Sequence, residues 1–137
     1  MVEQLDIVWY KTKKNVINTL TKYVYYSLSV DSNSTSQIGD DYILEELNAD
    51  YDNPYSNVSD NEKKKRIDFI NYVRVSFNKL TCDERKIVYW TYLDKEKNYD
   101  DRFIANSLGF SIGYYYIKKK ETLIRFAYSL GVEEIKK

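Results

Sequence analysis

Apolar residues recur at spacings of three, four and seven between Glu3 and Leu28, which predicts a long first helix with one apolar stripe. The stripe consists of Leu5, Val8, Trp9, Val16, Leu20, Tyr23 and Val24. Such a helix is not stable alone in water, so it must pack on the rest of the chain or on a second copy of itself. Both alternatives stay open here, and the second would give a homodimer through residues 3–28.

The pattern changes between residues 29 and 60. Ser, Asn and Asp dominate, the single Pro of the chain (Pro54) lies here, and no basic residue occurs between Asp31 and Asp60. These features favour a flexible, solvated linker. Apolar residues within the stretch favour the alternative of a short docked piece or a contact segment for another protein. They are Tyr42, Ile43, Leu44, Leu47, Tyr51 and Tyr55.

Two further helices are predicted in the middle of the chain. Ser59 or Asp60 can cap a helix whose apolar residues recur every three or four positions. Thr81, followed three residues later by Glu84, fits a capping box that opens a second helix ending near Leu93.

A helix, a tight turn and a second helix are predicted for the region of about residues 100–130. Asp100 can cap the first helix, and Gly109 can end it in a left-handed conformation at little cost. Ser111 can cap the second helix, which continues to Leu130. Two helices joined in this way can cross steeply and present the second to the major groove of DNA. The predicted fold class is therefore all-α, with a C-terminal helix-turn-helix and a long N-terminal helix.

The charge distribution changes near residue 60, where the polar stretch 29–60 ends and the helical pattern returns. The net charge of the whole protein is zero, but residues 1–60 carry a net charge of −6 and residues 61–137 a net charge of +6. This segregation indicates two segments with different partners. We predict an N-terminal region, 1–60, with a helix and an acidic linker or contact segment, and a helical DNA-binding domain, 61–137.

Residue types that most enzymes and metal sites need are scarce. The chain has no His and a single Cys, Cys82, so the usual general base and a thiolate metal cluster are both missing. We therefore expect no catalysis, no metal, no cofactor and no small-molecule substrate. No apolar run approaches the roughly 20 residues needed to cross a bilayer, and acidic residues precede any apolar stretch at the N-terminus. These features predict a cytoplasmic protein with no membrane partner.

The start of the last predicted helix and its basic run supply candidate contacts to double-stranded DNA. Counting about 100° per residue places Tyr115 and Tyr116 toward the core and Tyr114 and Ile117 outward, where the latter two can contact thymine methyl groups. Lysines of the run 118–120 can bind phosphates or guanine. The candidate set is Ser111, Gly113, Tyr114, Tyr115, Ile117, Lys118, Lys119, Lys120 and Arg125. A second basic run, Lys63, Lys64, Lys65 and Arg66, is either a solvated face or a further contact to the DNA backbone.

The stretch 80–131, LTCDERKIVYWTYLDKEKNYDDRFIANSLGFSIGYYYIKKKETLIRFAYSLG, resembles the ArpU-type transcriptional regulators of phages and related mobile elements. The resemblance lies in the Leu80-Thr81 opening, the Leu108-Gly109-Phe110-Ser111 turn and the Tyr115-Tyr116 pair. It implies a domain similar to region four of bacterial sigma factors, and an activator of late or packaging genes in the cytoplasm of the bacterial host. In this hypothesis the acidic first half contacts RNA polymerase or modulates the affinity for DNA. Lys118 departs from the family pattern, which has an apolar residue seven positions after the capping Ser.

Two other functions are compatible with the same residues. Small DNA-packaging proteins, similar to terminase small subunits, also combine a helix-turn-helix with an oligomerising helix. A protein-interaction module would instead use the acidic N-terminal half to bind a basic partner, with the C-terminal helices serving only as structure. Retention of duplex affinity after removal of Lys118–Lys120 would favour the interaction module.

Overall fold

The computed structural model describes residues 6–30, 38–48, 58–94 and 99–136, and over these residues the fold is all-α. The helices are α1 (Trp9–Val30), α2 (Asp60–Asn78), α3 (Cys82–Val88), α4 (Asp101–Leu108) and α5 (Ile112–Leu130). Helix α3 continues directly into a π-helical turn, Tyr89–Leu93. No helix among the described residues is long and apolar enough to cross a membrane.

Helix α1 begins later than its periodicity predicts, because the residues before it pair with the C-terminal tail. Ile7 forms an isolated antiparallel bridge with Ile135, and the Val8 amide donates to the Glu134 carbonyl at 2.9 Å. The predicted helical start is therefore wrong for residues 6–8, while Glu3 lies outside the described residues. A pairing partner more than a hundred residues away leaves no trace in local periodicity.

The apolar stripe of α1 packs within the chain, against α2 and α5. Val16, Leu20, Tyr23 and Val24 are all buried there. Of the two alternatives for this stripe, packing on the rest of the chain is the one observed. The stripe is thus not available to a second copy.

The acidic stretch contains a docked segment, so the linker interpretation is wrong for residues 42–48. Leu44 is buried in the core, and its amide and carbonyl exchange hydrogen bonds of 2.9 and 2.8 Å with the Asn78 side-chain amide. About two helical turns earlier in α2, Asn71 makes the same pair of hydrogen bonds with the backbone of Leu47, at 2.7 and 2.9 Å. These two amides satisfy backbone groups that an extended segment would otherwise leave unpaired. Tyr51 and Tyr55 lie outside the described residues.

The core consists of two clusters. The larger cluster joins α1, α2, Leu44, the π-helical turn and the second half of α5. The smaller cluster joins α3, α4 and the first half of α5 through Ile87, Ile104, Ala105 and Tyr115. Residues from both sides of position 60 contribute to the larger cluster, and the division of the chain into two domains at that point stays a prediction.

Candidate nucleic-acid interface

Helices α4 and α5 are joined by a turn whose caps match the sequence prediction. The Asp100 carboxylate accepts from the Phe103 amide at 2.8 Å, and the Ser111 hydroxyl accepts from the Tyr114 amide at 3.2 Å. Gly109 ends α4 with φ of 73°, in the left-handed region where a side chain is strained. The Phe110 amide then donates to the Ala105 carbonyl at 2.9 Å. Short-range capping therefore fixes both the end of α4 and the beginning of α5.

Tyr115 anchors the first half of α5, so its predicted role as a DNA contact is wrong. Its side chain is fully buried in the smaller cluster, and its hydroxyl donates to Asp101 Oδ1 at 2.9 Å. A residue in this position cannot reach a nucleic acid without local unfolding. Burial, and then the hydrogen bond and negative charge of Asp101, raise the pKa of Tyr115 well above its ordinary value.

Asp101 connects the start of α4 to α5 through a second residue, Lys119. Lys119 Nζ lies 3.0 Å from Asp101 Oδ1. Burial alone would raise the pKa of Asp101, but hydrogen bonds from Lys119 and Tyr115, with the charges of Lys119 and Lys13, lower it below its ordinary value. Lys119, a candidate phosphate contact by sequence, is therefore already paired within the chain.

The other candidate cations of α5 also have partners within the chain. Lys118 Nζ lies 3.9 Å from Glu84 Oε2, and Arg125 lies 3.3 Å from Glu84 Oε1. Lys120 Nζ lies 5.3 Å from the centroid of the Trp9 ring, within cation–π range. Lys120 and Arg125 are nevertheless exposed, whereas Lys118 and Lys119 are partly buried.

Glu84 has a second role that the sequence did not indicate. As predicted, it completes the capping box, with the Thr81 amide donating to Glu84 Oε1 at 3.0 Å. Its carboxylate is also fully buried between Lys118 and Arg125 of α5. The charged residue at position 118 thus faces a buried carboxylate.

The open face of α5 is mostly apolar and aromatic. Its large exposed side chains are Ile112 (40%), Tyr114 (50%), Tyr116 (52%) and Ile117 (60%). Ser111 and Gly113 are exposed beside them. The inward orientation predicted for Tyr116 is therefore wrong, because the smaller cluster covers only the Tyr115 side of these first turns. We call Ser111–Ile117 without Tyr115 the open face of α5.

The exposed cations on α5 and on two of the helices that pack against it include Lys120, Arg102 and Lys13. Of these three, the sequence pattern indicated only Lys120. Arg102 is exposed in the first turn of α4. Lys13 of α1 is exposed and close enough to Asp101 to lower its pKa. Charge counting by segment places Lys13 in the acidic half of the sequence, although its charge acts on Asp101 at the start of α4.

The second basic run lies elsewhere on the molecule. The Arg66 guanidinium is 3.2 Å from Glu62 and 5.4 Å from the ring centroid of Tyr26. Tyr26 is near the end of α1, whereas Trp9, which contacts Lys120, begins it. At 1.5 Å per residue these two points on α1 are about 25 Å apart. The structure therefore does not bring the run 63–66 together with the open face of α5.

Among the described residues, no group of three or more Cys, Asp or Glu side chains is arranged to hold a metal ion.

Comparisons with models of known protein families, with curated proteins and with solved structures found no significant match to this chain.

Proposed function

We propose that this protein is a sequence-specific, DNA-binding transcriptional regulator that inserts the first half of α5 into the major groove. The observation that carries the proposal is the asymmetry of these first turns. Only Tyr115 anchors them by full burial, while Ile112, Tyr114, Tyr116 and Ile117 are exposed together. A helix whose first turns are capped, held to the core by one residue and otherwise exposed suits insertion into a groove wide enough for an α-helix.

The charges near the open face support the same partner. Lys13, Arg102 and Lys120 are exposed on α5 and on two helices that pack against it, and the open face carries no acidic side chain of its own. Cations that flank an inserted helix contact phosphates on the two sides of the groove and fix its orientation. In this proposal Lys13 and Arg102 supply contacts that Lys118 and Lys119, paired with Glu84 and Asp101, do not.

The biological setting rests on the resemblance to ArpU-type regulators. In that setting the protein acts in the cytoplasm of a bacterial host as an activator of phage or mobile-element late genes, with RNA polymerase as a partner. A homodimer through residues 3–28 would have to use the outer face of α1, where Tyr10 and Tyr25 are exposed, because the inner stripe is buried. Paired half-sites one helical turn apart would indicate such a dimer.

The proposal is tested by titrating the full chain into labelled duplexes from a random-sequence pool, at several salt concentrations, and by enriching the bound fraction. We expect binding that weakens steeply with salt, and enriched sites that bind at least about a thousandfold more tightly than the starting pool. Failure to bind any duplex at low salt would overturn the proposal.

A pair of double variants with equal charge changes locates the surface. Lys13→Gln/Lys120→Gln should reduce the slope of log affinity against log salt by about 2, at about 0.9 for each lost phosphate contact. The control, Lys64→Gln/Lys65→Gln, removes two exposed lysines of α2 on the distant run. It should leave the slope unchanged. A loss confined to the control pair would contradict the proposed orientation.

A further inference from the structure

The open face of α5 lacks the side chains that usually read purines. Guanine is typically read by Arg or Lys and adenine by Asn or Gln. Residues 111–120 contain no Arg, Asn or Gln. Of the three lysines, Lys118 and Lys119 point to Glu84 and Asp101. Only Lys120 remains, and it stands beside Trp9 at the margin of the face.

The same face offers apolar contacts in fixed positions. The Tyr114 ring packs edge-on against Phe110, with centroids 4.8 Å apart, and the Tyr116 ring lies 5.7 Å from that of Tyr115. Ile117 has a stiff, β-branched side chain and is the most exposed of the four at 60%. These groups therefore present apolar surface with little conformational freedom left to lose on binding.

Gly113 lies in the middle of this face without a structural requirement for glycine. A Cβ atom built at this position meets nothing within 4 Å. Glycine in a helix costs up to about 1 kcal/mol relative to alanine, and here no contact within the described chain explains it. The missing side chain allows a base edge to approach the helix backbone closely at this position.

We infer that α5 selects thymine-rich sites by packing Tyr114, Ile117 and their apolar neighbours against thymine methyl groups in the major groove. The inference rests on the proposed function and adds its base preference. Thymine is the only standard base with a methyl group in the major groove. The exposed cations Lys13, Arg102 and Lys120, on α5 and on two helices that pack against it, favour duplex DNA as the occupant of the face over an uncharged protein surface.

The test replaces thymine by deoxyuridine, which keeps the hydrogen-bonding groups and removes only the methyl group. Sites enriched from the random pool are resynthesised with one such replacement at a time, and the affinity of the full chain is measured for each. We expect about fourfold weaker binding for each contacted methyl, equivalent to about 0.8 kcal/mol for one buried carbon. Replacing a contacted thymine by cytosine should weaken binding, and 5-methylcytosine should restore part of it.

A side-chain truncation connects the effect to this face. In the Ile117→Ala variant, replacing one particular thymine of the site by deoxyuridine should no longer weaken binding. Val75→Ala is the control, because Val75 is a β-branched, exposed residue of α2, and it should leave every effect unchanged. Duplex binding that tolerates deoxyuridine at all positions would overturn the inference and leave the proposed function standing. Absence of binding to any duplex would overturn both and would indicate a protein partner for the apolar face.

Discussion

The two halves of α5 lie in different surroundings. In the second half, Leu123, Phe126, Ala127 and Leu130 are all buried in the larger cluster against α1 and α2. In the first half only Tyr115 is fully buried, and the neighbouring large side chains are exposed. One continuous helix is thus embedded in the core at one end and presented to solvent at the other.

Because of this difference, the residues of α5 that stabilise the fold and the residues proposed to bind DNA lie in different halves of the helix. Burial of apolar area stabilises the fold roughly in proportion to the area removed from water. The second half of α5 should therefore contribute most of the stability of the helix. The first half depends on a few specific contacts, namely Tyr115 and Lys119 with Asp101, and Lys118 with Glu84. Substitutions at the two ends should affect different measurements.

The largest expected effect is that of Phe126→Ala in the embedded half. Phe126 is fully buried, with its ring centroid 6.4 Å from that of Phe77. Truncation loses the transfer free energy of the ring and leaves a cavity, so we expect a loss of about 3–5 kcal/mol in the free energy of unfolding. Urea denaturation followed by circular dichroism measures it.

Ile117→Ala in the exposed half is the matched comparison for Phe126→Ala. Because Ile117 is 60% exposed, its truncation should change the free energy of unfolding by no more than about 0.5 kcal/mol. Similar losses for the two variants would show that the halves of α5 do not differ as described.

A smaller effect is expected for Glu84→Ala, which breaks a connection between α3 and the exposed half of α5. The variant loses one side of the capping box and leaves Lys118 and Arg125 without their carboxylate. Both cations keep some contact with solvent, so we expect a loss of about 2–3 kcal/mol, below the 3–5 typical of fully buried pairs. Thermal and urea unfolding measure it.

Glu62→Ala is the control for Glu84→Ala. Glu62 also lies three residues after an N-cap, Ser59, and pairs with Arg66 at 3.2 Å, but its side chain is 40% exposed. Its removal should cost less than about 1 kcal/mol. An equal cost for the two glutamates would mean that burial of Glu84 adds nothing to the capping interaction.

Features set by neighbouring residues were predictable from the sequence. The caps at Ser59, Thr81, Asp100 and Ser111 and the left-handed Gly109 are all confirmed. Each depends on contacts within four residues, which are visible in a single sequence. The all-α fold follows from these caps together with the helical periodicity.

Features set by distant partners were not predictable in the same way. The docking of Leu44 depends on Asn78, and the orientation of Lys118 depends on Glu84, each 34 positions away along the chain. Counting about 100° per residue placed Tyr115 and Tyr116 together on the inner side of the helix. Of the two, only Tyr115 is buried, because it packs with α4 in the smaller cluster. The helix that carries the candidate residues was thus predictable, while an interface with DNA on α5, its individual contacts and its base preference stay proposals.

Apart from the comparison variants, the smallest loss is expected at Asp101, which joins α4 to the exposed half of α5. Its pKa is lowered in the folded protein, because hydrogen bonds from Lys119 and Tyr115 and the charges of Lys119 and Lys13 outweigh burial. A lowered pKa means that Asp101 stabilises the fold above its unfolded pKa of about 3.9. This contribution is lost as pH falls through the folded pKa. Asp101→Asn should therefore cost about 1 kcal/mol at neutral pH.

The cost of Asp101→Asn should shrink toward zero as pH falls below about 4. Comparing urea midpoints of the variant and the unmodified chain across this range isolates Asp101, since all other carboxyl groups are common to both. A cost that stays constant from neutral to acidic pH would show that the charge of Asp101 contributes nothing to holding α4 on α5. The exposed half of the helix would then depend on the burial of Tyr115 and on the pairing of Lys118 with Glu84.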